Sequence, residues 1–194
     1  MATENAQDLI SREEKVSYLK HVTRSIPDYP RRGIIFRDLT TLFQDPLAMA
    51  LSLELMSGLL TGSEGRPLDF KKYVAIEARG FILAGGLAGR LGGGIVMARK
   101  PGKLPYKKTG LSYQLEYGED SLEMHVDAIQ AGEKVVVVDD LLATGGTAEA
   151  ACTLVKKLGG EVSKVIFLVE LPGLHGRERL KDYQVESILS FEGL

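Results

Sequence analysis

The feature that most constrains the fold of this chain is a run of four valines that leads directly into two acids. Residues 134–147 read KVVVVDDLLATGGT. An apolar run without polar alternation is typical of a strand buried on both faces, as in parallel sheets covered by helices. The stretch therefore predicts a strand over Val135–Val138, a turn of small residues after it, and a helix that begins near Gly146.

Shorter apolar runs, separated by helical patterns, extend the prediction to a complete sheet. The helix after Gly146 has one apolar face and ends where two glycines follow. Strands that alternate with helices predict an α/β fold, with a mostly parallel twisted sheet flanked by helices. The further strands are expected at Tyr73–Ile76, Ile95–Ala98, Val165–Val169 and Val185–Leu189.

Two helices are predicted before the first of these strands. Ser11 and Glu14 have the spacing of a capping box, and apolar residues recur at helical intervals from there to residue 26. An Asp-Pro pair predicts the start of a second helix, over residues 46–60. We expect loop and turn over residues 27–41.

Composition narrows the class of protein. At 194 residues the chain suits one domain, and 24 basic residues against 26 acidic ones leave a net charge of −2. Nucleic-acid binders need a basic surplus, so we expect no nucleic-acid partner. No apolar stretch is long enough to cross a membrane, and no secretory signal is visible, so no membrane partner is expected. A lone cysteine, Cys152, excludes an internal disulfide and favours the cytoplasm.

Residues 100–120, KPGKLPYKKTGLSYQLEYGED, interrupt the alternation of strands and helices. Long structureless segments inside compact domains are usually functional or disordered. We interpret this one as a flexible active-site flap. The alternative is a solvated β-hairpin with strands over residues 112–117 and 122–126.

Gly145 and Gly146 predict a site for an anion. They open a helix between Thr144 and Thr147, where unobstructed backbone N–H groups lie at the positive end of the helix dipole. Ligands of open α/β sheets bind beyond the carboxyl ends of the strands, which is where this turn is expected. The lysine of a nucleoside triphosphate P-loop is absent, so the site belongs to another class.

Asp139 and Asp140 predict a site for a cation or a sugar. Adjacent acids at a strand end repel each other unless a cation or hydroxyl donors offset their charge. A sugar diol and Mg²⁺ would supply both, since Mg²⁺ prefers oxygen ligands and water. For the two acids alone, the alternative is an acidic turn that caps the next helix.

The strand, the two acids, two aliphatic residues and ATGGT resemble the phosphoribosyl-pyrophosphate motif of type I phosphoribosyltransferases. In 6-oxopurine members of that family a third acid follows the aliphatic pair, whereas this chain has Ala143, which favours adenine. Further segments are similar to adenine-specific members. They are IPDYPRRGIIFRDLT at residues 26–40, IEARGF at 76–81, ARKPGKLP at 98–105 and YQLEYGED at 113–120.

The resemblance implies a fold, a reaction and an assembly. The 5-phosphoribosyl group of phosphoribosyl pyrophosphate would pass to N9 of adenine with the help of Mg²⁺, giving AMP and pyrophosphate. One domain would span residues 1–194, with the N-terminal helix and a base-binding hood over 1–45 and the catalytic flap over 100–120. A homodimer is expected on the resemblance alone.

The resemblance also assigns roles to residues. The 5′-phosphate would be bound by Ala143, Thr144, Gly145, Gly146 and Thr147. The ribose, and Mg²⁺ through water, would be held by Asp139 and Asp140. Pyrophosphate would be bound by Arg79, Arg99, Lys100 and Lys103. Adenine would lie against Ile34, Ile35, Phe36 and Arg37, stacked on Phe36. The catalytic acid or base would be Glu116.

Other interpretations stay open where the residues are taken alone. GIIF at 33–36 is typical of a core strand, Glu116 of an exposed strand carboxylate, and Lys107 and Lys108 of a solvated surface. Two rival functions also remain. One is transfer to another base, such as xanthine or orotate. The other is a regulator that senses phosphoribosyl pyrophosphate without catalysis, although residues 1–26 offer no element for reading a nucleic acid.

Overall fold

Five parallel strands form the central sheet of the protein, whose computed structural model describes residues 10–62, 65–114 and 119–192. The elements in chain order are α1 (Arg12–Val22), β1 (Arg24–Pro27), β2 (Ile35–Asp38), α2 (Thr40–Gln44), α3 (Pro46–Gly58), β3 (Lys72–Ile76), α4 (Arg79–Leu91), β4 (Gly94–Ala98), β5 (Lys108–Gln114), β6 (Glu119–His125), β7 (Lys134–Leu142), α5 (Gly146–Lys157), β8 (Glu161–Glu170), a 3₁₀ turn (Pro172–Leu174), α6 (Gly176–Arg179) and β9 (Val185–Ser190). The sheet order is β4-β3-β7-β8-β9. The predicted α/β class and the five predicted strands are confirmed.

Both faces of the sheet are buried, as the valine run predicts. Val136 and Val138 pack into a core that includes side chains of α3 and α4, whereas Val135 and Val137 pack into a second core with α5. All four valines are fully buried. Full burial of a side chain of this size contributes roughly 1.5–3 kcal/mol, so β7 is firmly anchored. The strand continues to Leu142, so the two acids lie inside it.

The N-terminal segment differs from the prediction. The capping box is present, with the Ser11 hydroxyl accepting a bond from the Glu14 N–H and the Glu14 carboxylate accepting one from the Ser11 N–H. The helix nevertheless ends at Val22, four residues short of the predicted end. The chain turns into β1 instead, because β1 and β2 pair as an antiparallel ribbon in which Ile26 faces Phe36. The expectation of only loop and turn over residues 27–41 was therefore wrong.

The second predicted helix is α3. The Asp45 side chain accepts a hydrogen bond from the Ala48 N–H at its start, which is the usual way an aspartate caps a helix. The helix ends at Gly58. Its buried face packs in the same core as α4, with Leu51 and Leu55 among its members.

The segment after β4 contains a packed hairpin. Strands β5 and β6 pair antiparallel, with Ser112 opposite Ser121. The hairpin is not merely solvated, because Tyr113, Leu122 and Met124 are buried in the core that α5 covers. The strands of the solvated hairpin were expected over residues 112–117 and 122–126, whereas β5 begins at Lys108 and β6 at Glu119. Residues 115–118, which include Glu116, lie outside the described residues.

No helix in the described part of the chain is long and apolar enough to cross a membrane. Cys152 is fully buried in α5, and burial raises the pKa of its thiol to about 12. The thiol is therefore protonated and inert at neutral pH.

Candidate active site

The predicted site residues gather at one edge of the sheet, because three neighbouring strands end there. Arg79 opens α4 three residues after the end of β3, and Arg99 follows β4 directly. Asp139 and Asp140 lie near the carboxyl end of β7, the strand that pairs with β3. Parallel strands place their carboxyl ends at a common edge, so basic groups meet the two acids there.

The glycine turn forms an open cradle between β7 and α5. Gly145 has φ of +82°, a left-handed conformation that favours glycine, and Gly146 is the first residue of α5. Residues 143–147 line a cavity of about 70 Å³ together with Asp139 and Phe167. The free N–H groups of the first helical turn and the helix dipole make such a cavity suitable for a phosphate.

The two acids are only partly compensated. The Asp139 Oδ1 atom accepts a hydrogen bond from the Asp140 N–H at 2.9 Å. Asp140 Oδ2 lies 2.7 Å from Arg79 Nε, yet it is buried and accepts no hydrogen bond. Burial, and then the charge of Asp140, raise the pKa of Asp139 well above its usual value. This edge of the sheet therefore holds one buried carboxylate oxygen, Asp140 Oδ2, that accepts no hydrogen bond.

Arg99 is braced by a carboxylate that sequence reasoning did not single out. Its Nε and Nη2 donate to the two carboxylate oxygens of Glu77 at 3.2 and 3.0 Å. The Lys100 N–H donates to Glu77 as well, at 2.9 Å, and Arg99 Nη1 donates to the Lys103 carbonyl at 3.2 Å. These bonds fix the backbone of the loop that carries Lys100 and Lys103, while the Lys103 side chain stays exposed.

A chain of polar contacts joins this loop to the glycine turn. The Lys100 ammonium is paired with the Asp120 carboxylate, which also accepts a bond of 3.2 Å from the Tyr113 hydroxyl. The same hydroxyl lies 3.1 Å from Thr147 Oγ1. Burial would raise the pKa of Asp120, but its bonds from Lys100, Ser121 and Tyr113 lower it overall. The β5–β6 hairpin is thereby connected to the first turn of α5.

The predicted adenine segment lies on the exposed β1–β2 ribbon. Ile34 and Ile35 are 39% and 37% exposed, so GIIF is not a core strand. Phe36 packs edge-on against Tyr29 with ring centroids 5.2 Å apart. The Arg37 guanidinium lies 4.5 Å from the centroid of the Phe191 ring. Exposed apolar side chains thus lie beside a half-buried aromatic ring, an arrangement that suits a planar ligand.

The structure brings together most but not all of the residues that the sequence indicates. The acids, Arg79, Lys100 and the glycine turn share one edge of the sheet, and Lys108 pairs with Glu123 on the hairpin instead of joining them. The position of Glu116 lies outside the described residues. Within the described ranges no cluster of three or more His, Cys, Asp or Glu residues could hold a metal by itself. A metal at Asp139 and Asp140 would thus need oxygen ligands from a substrate or from water.

Comparison with known proteins shows the family of the chain. The phosphoribosyl transferase domain family matches residues 72–193. A protein of Pelodictyon phaeoclathratiforme named adenine phosphoribosyltransferase is 50% identical over 177 residues, which cover 90% of this chain and 98% of the relative. One of Thermotoga neapolitana with the same name is 51% identical, over 89% of this chain and 99% of the relative.

Solved structures give the same result. The crystal structure of adenine phosphoribosyltransferase from Thermoanaerobacter pseudethanolicus superposes with a TM-score of 0.84 at 48% identity, covering 91% of this chain and 99% of the other. That of the Saccharomyces cerevisiae enzyme, in complex with an imino-altritol bisphosphate and adenine, superposes with a TM-score of 0.85 at 34% identity, with coverage of 91% and 99%.

The fold, the glycine cradle and the pair of acids define a phosphoribosyltransferase, and the chain belongs to that family. Within the family it belongs with the adenine phosphoribosyltransferases, because relatives of that name match it along nearly their whole length.

The uncompensated acids predict a stability change. Asp139→Asn should raise the free energy of unfolding of the ligand-free protein at pH 7, on the order of 1–3 kcal/mol, because the amide removes a charge that burial and the neighbouring Asp140 disfavour. An acid whose pKa is raised by folding destabilises the folded state once the pH exceeds its ordinary pKa. The gain should therefore vanish below about pH 4, where the carboxyl is protonated in both states.

Urea unfolding of the two proteins at several pH values measures this difference. Asp182→Asn is the matched control, because Asp182 is exposed and lies outside the site. A variant Asp139→Asn that is less stable than the natural protein at pH 7 would contradict the electrostatic explanation.

Proposed function

We propose that the protein transfers the 5-phosphoribosyl group of phosphoribosyl pyrophosphate to N9 of adenine, which gives AMP and pyrophosphate. One observation carries the proposal: a glycine cradle for a phosphate and a pair of acids lie at the same sheet edge as basic side chains. The yeast relative was crystallised with a sugar-like bisphosphate and adenine together, which supports the same two kinds of ligand here.

The 5′-phosphate belongs in the cradle over residues 143–147. Its charge would be met by the N–H groups that open α5, and the hydroxyls of Thr144 and Thr147 lie beside them. A phosphate fixed at this point holds the ribose in one orientation, so that C1′ faces the base.

Mg²⁺ fits the acid pair. Asp140 Oδ2 is a buried oxygen without a hydrogen bond, and Asp139 stands beside it with an unfavourably buried charge. Asp139 and Asp140 would contact the ribose hydroxyls and hold the ion through water. When bound, Mg²⁺ would offset negative charge on the diphosphate.

Basic residues around the acids would bind the leaving pyrophosphate. The Arg79 side chain is about half exposed despite its contact with Asp140, so it can still reach a ligand. Lys100 and Lys103 follow in the loop after β4. Arg99 fixes that loop through Glu77, and the rest of its side chain would contact the pyrophosphate. Donors held in place before the reaction stabilise the charge that develops on the diphosphate.

The exposed ribbon would supply the base site. Phe36 would stack on adenine, Ile34 and Ile35 would cover its edge, and Arg37 would close the end of the surface. Stacking suits any purine, so backbone donors and acceptors of this segment would select adenine, whereas Ala143 has no polar side chain that could do so. N9 forms a bond to C1′, the C1′–O bond to pyrophosphate breaks, and the N9 proton passes to a base, for which we propose Glu116.

We also propose that two copies associate through the face of α4 and β4. On β4, Ile95 and Met97 pair in register with Tyr73 and Ala75 of β3, so they lie on the α4 face of the sheet. They are 44% and 47% exposed, and Ile82 of α4 is 47% exposed. An apolar patch at a sheet edge is typical of an interface. Together with the inert buried thiol, these features suit a cytoplasmic homodimer.

The reaction is tested directly by substrate competition. With Mg²⁺ and phosphoribosyl pyrophosphate, adenine should give AMP, and hypoxanthine or guanine should react on the order of 10⁴-fold more slowly, the discrimination expected of a hydrogen-bonding base pocket. Chromatography measures the nucleotide products, and a reaction from which EDTA has removed Mg²⁺ is the control. Equal turnover of a 6-oxopurine would contradict the base assignment, and no turnover with any base would favour the regulator.

Glu116 can be tested although only its sequence context supports it. Glu116→Gln should lower the single-turnover rate with adenine by roughly 10² to 10⁴, the usual contribution of a positioned acid or base, with little change in phosphoribosyl-pyrophosphate affinity. If Glu116 acts only through hydrogen bonds, Glu116→Gln should lower the single-turnover rate only slightly, and Glu116→Leu should lower it severely. Near-normal rates for both variants across pH would remove Glu116 from the mechanism.

The interface predicts the effect of a charge. Met97→Lys should convert the dimer to a monomer at micromolar concentration, because it places an ammonium group in an apolar patch. Sedimentation equilibrium measures the mass. Leu47→Lys on α3, where Leu47 is 37% exposed outside this patch, is the matched control and should leave the dimer intact. A natural protein that sediments as a monomer would refute the proposal.

A further inference from the structure

The glycine cradle rests directly on a short segment far along the chain. A Cβ atom on Gly145 would lie 2.5 Å from the Gly176 carbonyl oxygen, and a Cβ atom on Gly176 would overlap the Ala143 carbonyl oxygen. No atom fits between the two backbones. Any movement of Gly176 must therefore move the cradle, or open a gap beneath it.

Gly176 begins α6, a helix of one turn that cannot hold its position by itself. Helices this short gain too few internal hydrogen bonds to offset the entropy of nucleation. Of the residues of α6, Gly176 is buried and the three that follow are exposed. Side-chain bonds to other elements must therefore fix the segment.

Arg177 provides those bonds. Its Nε and Nη2 donate to the two carboxylate oxygens of Glu170, at 2.6 and 2.7 Å, and its Nη1 donates to the Val185 carbonyl at 2.8 Å. Glu170 is buried at the end of β8, and Ser187 of β9 donates a third bond to its carboxylate, at 2.8 Å. Paired bonds of this geometry are the strongest that a guanidinium makes.

Glu170 is in turn tied to the strand that carries the acids. It pairs in register with Leu142, the last residue of β7, and the Leu171 N–H donates to the Leu142 carbonyl at 3.0 Å. The bonds from Arg177 are the main reason that the pKa of Glu170 is lowered, so the carboxylate stays charged at neutral pH. One ion pair thus connects the ends of β7 and β8, and the beginning of β9, to the segment beneath the cradle.

We propose that Arg177 and Glu170 are positioning residues for the 5′-phosphate: they hold Gly176 against Gly145 and so keep the N–H groups of the cradle aimed at the phosphate. The proposal rests on the proposed function of the cradle. Neither side chain is expected to touch the substrate. Their effect should accordingly be confined to ligands that carry a 5′-phosphate.

The test compares AMP with adenosine, which lacks only the phosphate. Arg177→Met should weaken AMP binding by roughly ten- to a hundredfold, the loss that removal of the outer partners of metal ligands causes at metal sites. Adenosine binding should not change. Arg177→Lys keeps the charge but not the paired bonds. Its AMP affinity should therefore fall by less than that of Arg177→Met, and its adenosine affinity should not change. Isothermal titration calorimetry gives both affinities.

Arg179→Met is the matched control. Arg179 lies in the same short helix and carries the same charge, but it pairs with Glu149 of α5 at 3.3 Å, and both side chains are exposed. Its loss should leave both affinities unchanged, which separates the ion pair from a general loss of positive charge. Thermal unfolding of each variant shows that it is folded at the temperature of the titration.

Each outcome is decisive. Unchanged AMP affinity in a folded Arg177→Met variant, or equal losses for AMP and adenosine, would overturn the proposal. If Arg177→Met does not fold, the AMP-to-adenosine ratio of Arg177→Lys decides in the same way. If the natural protein binds AMP no better than adenosine, the cradle does not hold a phosphate, and the proposed function of that loop fails first.

Discussion

The burial of β7 on both faces is the constraint on which the site depends. Because its valines are packed between two cores, this strand in the middle of the sheet has little freedom to shift. Near its end the same strand carries Asp139 and Asp140, two acids in poorly compensated positions. The free energy gained in the cores offsets the unfavourable placement of the carboxylates, which a less firmly packed strand would relieve by moving.

Two cations of the site already have carboxylate partners in the ligand-free protein. Arg79 contacts Asp140, and Lys100 is paired with Asp120 on the hairpin. A diphosphate would have to replace or share these partners, so its binding energy is partly spent on exchange. In return, the basic groups are oriented before the ligand arrives and do not repel one another, which is the arrangement that favours stabilisation of a developing charge.

The sequence was sufficient for the five strands of the sheet and for the glycine turn, because both are local patterns, although it ended β7 at Val138 instead of Leu142. It could not indicate that β1 would replace the end of the first helix, since that depends on pairing with β2. The carboxylate partners are also invisible in sequence: Glu77 lies 22 residues from Arg99 and Asp120 lies 20 residues from Lys100. Only the fold brings such residues together. The chain has many other acids, and the sequence does not show which of them pair with the basic residues.

The two glycines of the cradle illustrate how one residue type can answer two different demands. Gly145 has a left-handed backbone and no room for a Cβ atom against Gly176, so the fold alone explains it. Gly146 is the first residue of a regular helix, a conformation that any residue can adopt, and a glycine there lowers helix stability. It lines the cavity at the helix terminus. If a phosphate binds in the cradle as we propose, a side chain at this second position would cover the N–H groups that the phosphate approaches.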